Sequence, residues 1–276
     1  MKQTFKLELR RAFSTQGFYL ALLIGMTIAI VQVVLRVVPE SQKLDAALEV
    51  VKGSDSFCPD ILYSTWIGGH FNCAEKQFYY LIFPILAALP FADSYFTDMQ
   101  SGFIRSIGIR TKRRNYFVSK YLAVFLSGGT TVLFPLVFNF TLSCMFLPLI
   151  QVEATSRHLG VTPYITFAEL ILYNSLLHVT LYLFLTFIFG GLFACFALVA
   201  ARYVGYRFLV LLAPFGLYLF INSLMALLQL KNWEPMYFLM PSYGEQVGIP
   251  MIVEGGLLFL TIGFFFFRNC GKRDVF

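Results

Sequence analysis

Charged residues are scarce in this chain of 276 residues. Only 13% of them are Asp, Glu, Lys or Arg, whereas soluble globular domains carry about 25%. Hydrophobic residues make up 58% of the chain, with 32 Phe, and the mean hydropathy is +0.72. This composition excludes an ordinary soluble domain. We attribute the net charge of +6 to contact with anionic lipid rather than with nucleic acid.

The sequence also lacks the motifs of common enzyme chemistry. It has no G-x-x-x-x-G-K-[ST] loop for nucleotide phosphates, no H-E-x-x-H or G-x-S-x-G motif, and no Cys/His cluster with metal-binding spacing. A membrane-embedded enzyme of lipid metabolism would need clustered Asp or His at the end of a span, and Asp93 and Asp98 alone are too few. We therefore expect that the chain is not an enzyme and binds no cofactor or metal itself.

Long apolar runs dominate the sequence instead. A run of about 20 apolar residues matches a hydrocarbon core of about 30 Å, where a helix satisfies the backbone polar groups. The sequence predicts an all-α integral membrane protein, with residues 1–276 forming one domain of six transmembrane helices. The predicted spans are Phe18–Val38, Phe78–Phe96, Tyr121–Leu147, a stretch within Phe167–Ala201, Phe208–Leu230 and Ile249–Phe267. The first run has no small-residue cleavage site after it, so we expect it to stay as an anchor.

The basic residues predict the orientation of these spans. If both termini are cytoplasmic, 15 of the 21 Lys and Arg residues fall in the inner segments. Such a bias is typical of cytoplasmic loops. We expect a multi-pass plasma-membrane protein whose termini both lie in the cytoplasm.

Residues 1–17 predict an amphipathic helix in the inner membrane interface. Apolar residues recur at i, i+4, i+7 and i+8 on one side, and basic residues lie on another. The apolar set is Phe5, Leu9, Ala12 and Phe13, and the basic set is Lys2, Lys6 and Arg10. The alternative is a simple positively charged flank that orients the first span.

A second short helix is predicted at the inner surface, within residues 97–115. Met99, Phe103 and Ile107 recur at four-residue spacing, with Asp98 near the start and Gly108 as a stop. The basic residues from 110 to 114 follow. Topology and lipid headgroups would explain these basic residues, but the apolar helix face needs a partner to cover it.

This segment resembles the ABC-2 type transporter permeases, the membrane subunits of ABC exporters. In that family an acidic residue, three further residues and a Gly open a cytoplasmic coupling helix, and a basic residue and a Lys follow before the next span. The matching residues here are Asp98, Gly102, Arg113 or Arg114, and Lys120. Two positions depart from the family pattern: Asp98 stands where Glu is usual, and Phe103 where Thr is usual.

The resemblance implies a fold, partners and a function. It implies a type V exporter-like fold whose inner segment docks on a dimer of separate P-loop ATPase subunits, which bind ATP and Mg. A second permease copy or a homologous permease would complete the pathway. The cargo expected is amphiphilic: a peptide or lantibiotic-like antimicrobial, a drug or a lipid. The residues expected to couple to the ATPase are Asp98, Met99, Gly102, Phe103, Arg105, Ile107, Arg113 and Arg114.

The alternative hypothesis is an ATP-independent secondary transporter or a channel-like membrane protein. Such a protein would be expected to show charged residues or broken helices near the middle of the membrane.

Two outer segments carry further predictions. Residues 39–77 form an extracellular loop containing Cys58 and Cys73, which either form a disulfide or remain free thiols. Residues 231–248 predict a short outer re-entrant or loop element, with an aromatic belt at the interface as the alternative.

Polar residues within the spans are the candidates for a substrate path, because they are costly against lipid. The alternative for each is an interhelical hydrogen bond. The candidates are Asn139, Asn174, His178, Asn222, Gln229 and Glu254. The Gly pairs within Ser127–Thr131 and at Gly190 and Gly191 predict close helix packing instead.

Overall fold

The structure is a computed structural model that describes residues 2–50, 62–70, 73–104, 106, 112–150, 167–242 and 247–271. Every regular element in these ranges is helical. The helices are α1 Lys2–Phe13, α2 Gln16–Gln32, α3 Val38–Val50, α4 Leu62–Thr65, α5 Ala74–Ala88, α6 Ser94–Gln100, α7 Arg113–Ser143, α8 Ala168–Tyr173, α9 Ser175–Ala200, α10 Arg207–Leu227, α11 Pro235–Phe238 and α12 Gly248–Gly271.

Within the described residues, five helical stretches are long and apolar enough to cross a membrane. They are Gln16–Leu44, Arg114–Ser143, Ser175–Ala200, Arg207–Leu227 and Gly248–Phe266. These stretches correspond to five of the six predicted spans, so an all-helical, multi-pass membrane protein is confirmed.

The predicted second span, Phe78–Phe96, differs from the structure. α5 ends at Ala88, and a turn through Pro90 separates it from α6. Pro90 has no backbone N–H and cannot extend the ladder of helical hydrogen bonds. The 15 residues of α5 rise about 22 Å at 1.5 Å per residue, less than the hydrocarbon core of about 30 Å.

The first span is longer than predicted. α2 passes through a π-helical stretch, Val33–Val37, into α3, so the helix continues through Pro39 to Val50 instead of ending at Val38. A proline ring clashes with the carbonyl four residues earlier, and a π turn widens the helix at that position. The predicted loop of residues 39–77 therefore begins and ends as helix.

A helix, α1, is present where the sequence predicted one, and its place in the membrane interface stays a prediction. It packs along the start of α7, with Ala12 fully buried. Lys2, Lys6 and Arg10 lie on its exposed side. Thr15 follows α1 and caps α2 by accepting a hydrogen bond from the Phe18 N–H. Its hydroxyl donates to the Pro90 carbonyl at 2.6 Å.

α7 is the central helix, and its most extensive partner is α9. The predicted close packing at the Gly pairs is present. A Cβ added to Gly128 would lie 2.5 Å from the Ala194 Cβ and 2.7 Å from the Ala87 carbonyl oxygen. Gly190 approaches the Gly129 Cα from the other helix. Glycine here allows the two backbones to approach closely.

The element within residues 231–248 consists of a 3-10 turn, Lys231–Trp233, followed by α11. Phe238, Leu239 and Met240 are all buried within the protein. The rings of Phe238 and Phe189 of α9 are 5.1 Å apart. This element therefore packs back into the helix bundle.

Candidate functional site

A buried ionic cluster joins three helices at the end of the molecule that holds the N-terminus. α1 contributes Glu8 and Arg11, α6 contributes Asp98, and α7 contributes Tyr116 and Lys120. Residues four apart on α1 and α7 share one helix face. Ala12 therefore packs beside Glu8, and Tyr116 lies one turn before Lys120.

The bonds in this cluster are short and converge on Asp98. Lys120 donates to its Oδ2 at 2.6 Å, Tyr116 donates to the same oxygen at 2.7 Å, and Arg11 donates to its Oδ1 at 2.8 Å. Glu8 accepts from Arg11 at 2.9 Å and from Lys120 at 3.1 Å. The two carboxylates and two cations balance in charge, as a buried cluster requires.

Asp98, Glu8 and Lys120 are each at most 2% exposed, so solvent screens these bonds little. Burial alone would raise the pKa of Asp98, but the hydrogen bond from Arg11 and the charge of Lys120 outweigh burial and lower it. The pKa of Arg11 is raised, since its bonds to Asp98 and Glu8 outweigh burial.

The lowered pKa of Asp98 predicts a pH dependence. Its stabilisation is fully present above the ordinary pKa of 3.8 and is lost as pH falls through the lower folded value. We expect the thermal midpoints of wild type and Asp98→Asn to differ by a constant amount from about pH 7 to pH 5, and to converge below about pH 4. A gap that widens on acidification would contradict this assignment of Asp98 as an ionised group.

The cluster positions a short surface segment, Thr97–Ile104. Met99 is 38% exposed in this segment. The predicted continuous helix is interrupted at Gly102, whose φ of +70° is a left-handed value that favours glycine. The Arg11 guanidinium lies 4.9 Å from the centre of the Phe103 ring. Asp93, just before α6, bonds Arg207 at the start of α10.

The residues predicted to couple to an ATPase differ in their exposure. Asp98 is buried, so it can act on a partner only through the position of the segment, whereas Met99 and Arg114 are exposed. Gly102 and Phe103 are partly exposed beside the cluster. Arg105, Ile107 and the side chain of Arg113 lie outside the described residues.

Asn139, a predicted path residue, belongs to a buried hydrogen-bond network. Its amide donates to the Gln32 side chain at 2.7 Å and to the Ala29 carbonyl at 3.0 Å, and its oxygen accepts from the Ile67 N–H at 3.0 Å. Gln32 in turn donates to the Thr65 carbonyl at 2.7 Å. With these bonds Asn139 joins α7, α2 and the segment after α4, as the alternative of an interhelical bond predicted.

Three other predicted path residues lie at helix ends or bond local backbone. Asn174 caps α9 by accepting from the Leu177 N–H. Asn222 accepts from the Met236 N–H at 3.2 Å, which holds α11 to α10. Gln229 is exposed two residues beyond the end of α10.

His178 and Glu254 are the remaining two predicted path residues, and both are buried. The His178 ring lies 4.8 Å from the Tyr182 ring on α9. Glu254 is 8% exposed in α12. The predicted cysteine pair stays a prediction, because Cys58 lies outside the described residues. Cys73 is buried at the start of α5.

The sequence analysis missed Glu8, Arg11 and Tyr116 as parts of one site. A signal was present for Glu8, which lies three residues after Phe5 and four before Ala12. It is thus an acid on the apolar side of an amphipathic helix, a position that is unfavourable unless a cation meets it. Nothing in the sequence indicated that Lys120 is that cation.

No family model, no curated protein and no solved structure matches this chain. The five long apolar helices define its class, a multi-pass all-helical membrane protein.

Proposed function

We propose that this chain is the permease subunit of an ABC exporter of the ABC-2 type, in the plasma membrane with both termini cytoplasmic. A dimer of separate P-loop ATPase subunits would bind ATP and Mg and drive export of an amphiphilic cargo, such as an antimicrobial peptide, a drug or a lipid. A second permease copy or a homologous permease would complete the pathway.

The ionic cluster is the observation that carries this proposal. Asp98 and Lys120 occupy two positions of the ABC-2 pattern, and they bond each other at 2.6 Å. Through Glu8 and Arg11 the same cluster includes α1. A displacement of the segment Thr97–Ile104 by a docked partner would therefore move α1 and the central helix α7 directly.

The course of the chain supports α5 as a sixth, short span. α2 and α7 run in the same direction: Thr15 and Lys120 lie at the end of the ionic cluster, and Gln32 bonds Asn139 at the other end. The chain must return between these two helices, and α5 is the helix that returns. A bilayer adapts to a short span by local thinning at modest cost.

Docking at the inner segment can be tested with two matched substitutions, Met99→Asp and Met145→Asp. Met99 is 38% and Met145 is 77% exposed, and Met145 follows the opposite end of α7. With tagged protein purified gently from native membranes, we expect a P-loop ATPase to accompany wild type and Met145→Asp. Its recovery should fall at least tenfold with Met99→Asp, since a charge buried at an interface costs more than the roughly 1.4 kcal/mol that corresponds to a tenfold change.

The outcome separates the two functions considered. Equal ATPase recovery with both variants would move the docking site away from this segment. Absence of any ATPase with wild type would favour the ATP-independent transporter or channel. Thermal unfolding of both variants serves as the control for folding.

A further inference from the structure

α12 buries one narrow stripe and exposes the remainder of its surface. Met251, Glu254, Leu258 and Ile262 lie on the buried stripe, which packs against α9. Ile252 and Phe259, on the other side, are 75% and 67% exposed. Glu254 is thus a carboxyl group at a position that otherwise holds apolar side chains.

Glu254 differs from the acids of the ionic cluster in its lack of partners within the described ranges. It forms no ion pair within the described part of the chain, and its buried Oε1 has no hydrogen-bond partner there. Among the five candidate spans, Glu40 is the only other acid, and it accepts a hydrogen bond from Lys43 at 2.5 Å. A buried polar atom without a partner is costly, so it points to a missing group.

Aromatic side chains from three other elements lie near this part of α12. The Phe189 ring of α9 lies 3.2 Å from where a Cβ on Gly255 would be, and it contacts Phe238 of α11. Tyr218 of α10 is within electrostatic range of Glu254. The Tyr218 hydroxyl donates to the Tyr80 carbonyl at 2.9 Å, so its hydrogen is not available to the carboxylate.

We infer that Glu254 binds a cationic group of the cargo, an ammonium or guanidinium, between α9, α10 and α12. A carboxylate supplies the opposite charge, and aromatic faces attract cations. Because this intramembrane acid has no cationic partner among the described residues, it can pair with a positive charge on a bound ligand. The inference rests on the proposed export function and narrows its cargo to cationic amphiphiles.

The test measures binding to the purified permease in nanodiscs, without any ATPase. The probes are ethidium, a cationic fluorescent amphiphile, and N-phenyl-1-naphthylamine, an uncharged one. We expect Glu254→Gln to weaken ethidium binding by about tenfold or more, as loss of one partner of a desolvated charge pair does. Glu40→Gln, the matched control, should bind ethidium like wild type. The uncharged probe should bind all three proteins equally.

Three results would overturn the inference. They are an unchanged ethidium affinity in Glu254→Gln, an equal loss of both probes in that variant, and no ethidium binding to wild type above empty nanodiscs. ATPase recovery with Glu254→Gln is measured in parallel and should equal that of wild type. Because the binding assay contains no ATPase, failure at Glu254 is distinguishable from failure of the docking proposal.

Discussion

Asp98→Asn is expected to lower the free energy of unfolding by about 3 kcal/mol or more, because it leaves Lys120 with one of its two buried carboxylate partners. The bonds that this substitution weakens come from Arg11, Tyr116 and Lys120. Chemical or thermal unfolding of the purified protein in one fixed detergent would measure the loss.

Asp93→Asn is the matched control for this experiment. Asp93 pairs with Arg207, whose side chain is 69% exposed, whereas the Lys120 side chain is 1% exposed. A pair screened by solvent contributes about 0–1 kcal/mol. Equal losses in the two variants would show that the ionic cluster does not stabilise the packing of α1, α6 and α7.

The double variant Asp98→Asn with Lys120→Met should be less destabilised than the sum of its single variants. Removing both partners leaves Glu8 with Arg11, a balanced pair. Residues that share a bond show coupling energies of about 0.5–3 kcal/mol. Strict additivity would be evidence against direct pairing of Asp98 and Lys120.

Gly128→Ala is expected to destabilise the protein by about 1–3 kcal/mol through overpacking of α7 against α9 and α5. The added Cβ would lie 2.7 Å from the Ala87 carbonyl oxygen, which is backbone and cannot rotate away. The thermal midpoint should fall by several degrees. The same unfolding assay measures this loss.

Gly256→Ala provides the comparison for this prediction. A Cβ at Gly256 meets nothing within 4 Å, so only helix propensity acts, and Ala is favoured over Gly by about 1 kcal/mol. The control should therefore be neutral or slightly stabilised. If both variants unfold alike, the close approach of α7 and α9 is not a determinant of stability.

The cluster also bears on how α1 acts. The sequence analysis placed its apolar stripe in the membrane interface, and in the structure part of that stripe contacts protein. Ala12 is fully buried within the protein, and Glu8 beside it bonds Lys120. α1 is therefore a structural part of this end of the molecule, and its Arg11 bonds Asp98 of α6.

Predictions from sequence succeeded where the signal is local. Hydropathy and run length identified five of the long helices, and helical spacing identified α1, because both depend on residues a few positions apart. They misplaced the end of α5, where a turn at Pro90 interrupts an apolar run, and the end of the first span, which a π-helical stretch carries past Pro39.

Side-chain partners were beyond these local signals. The sequence left open whether Asn139 lines a path or bonds a neighbouring helix, and only the structure shows its bonds to Gln32, Ala29 and Ile67. Glu254 and Asp98 are both acids near helix ends in the sequence. The structure surrounds Asp98 with three donors, whereas the buried Oε1 of Glu254 has no hydrogen-bond partner in the described part of the chain.

The sequence by itself determined that this protein is an all-helical, multi-pass membrane protein, because composition and periodicity are properties of contiguous residues. Only the tertiary structure decided which charges meet. Glu8 and Lys120 lie 112 positions apart, and the packing of α1 on α7 brings them within 3.1 Å. A buried charge is tolerated only beside its counter-charge, so long-range packing made these residues a site.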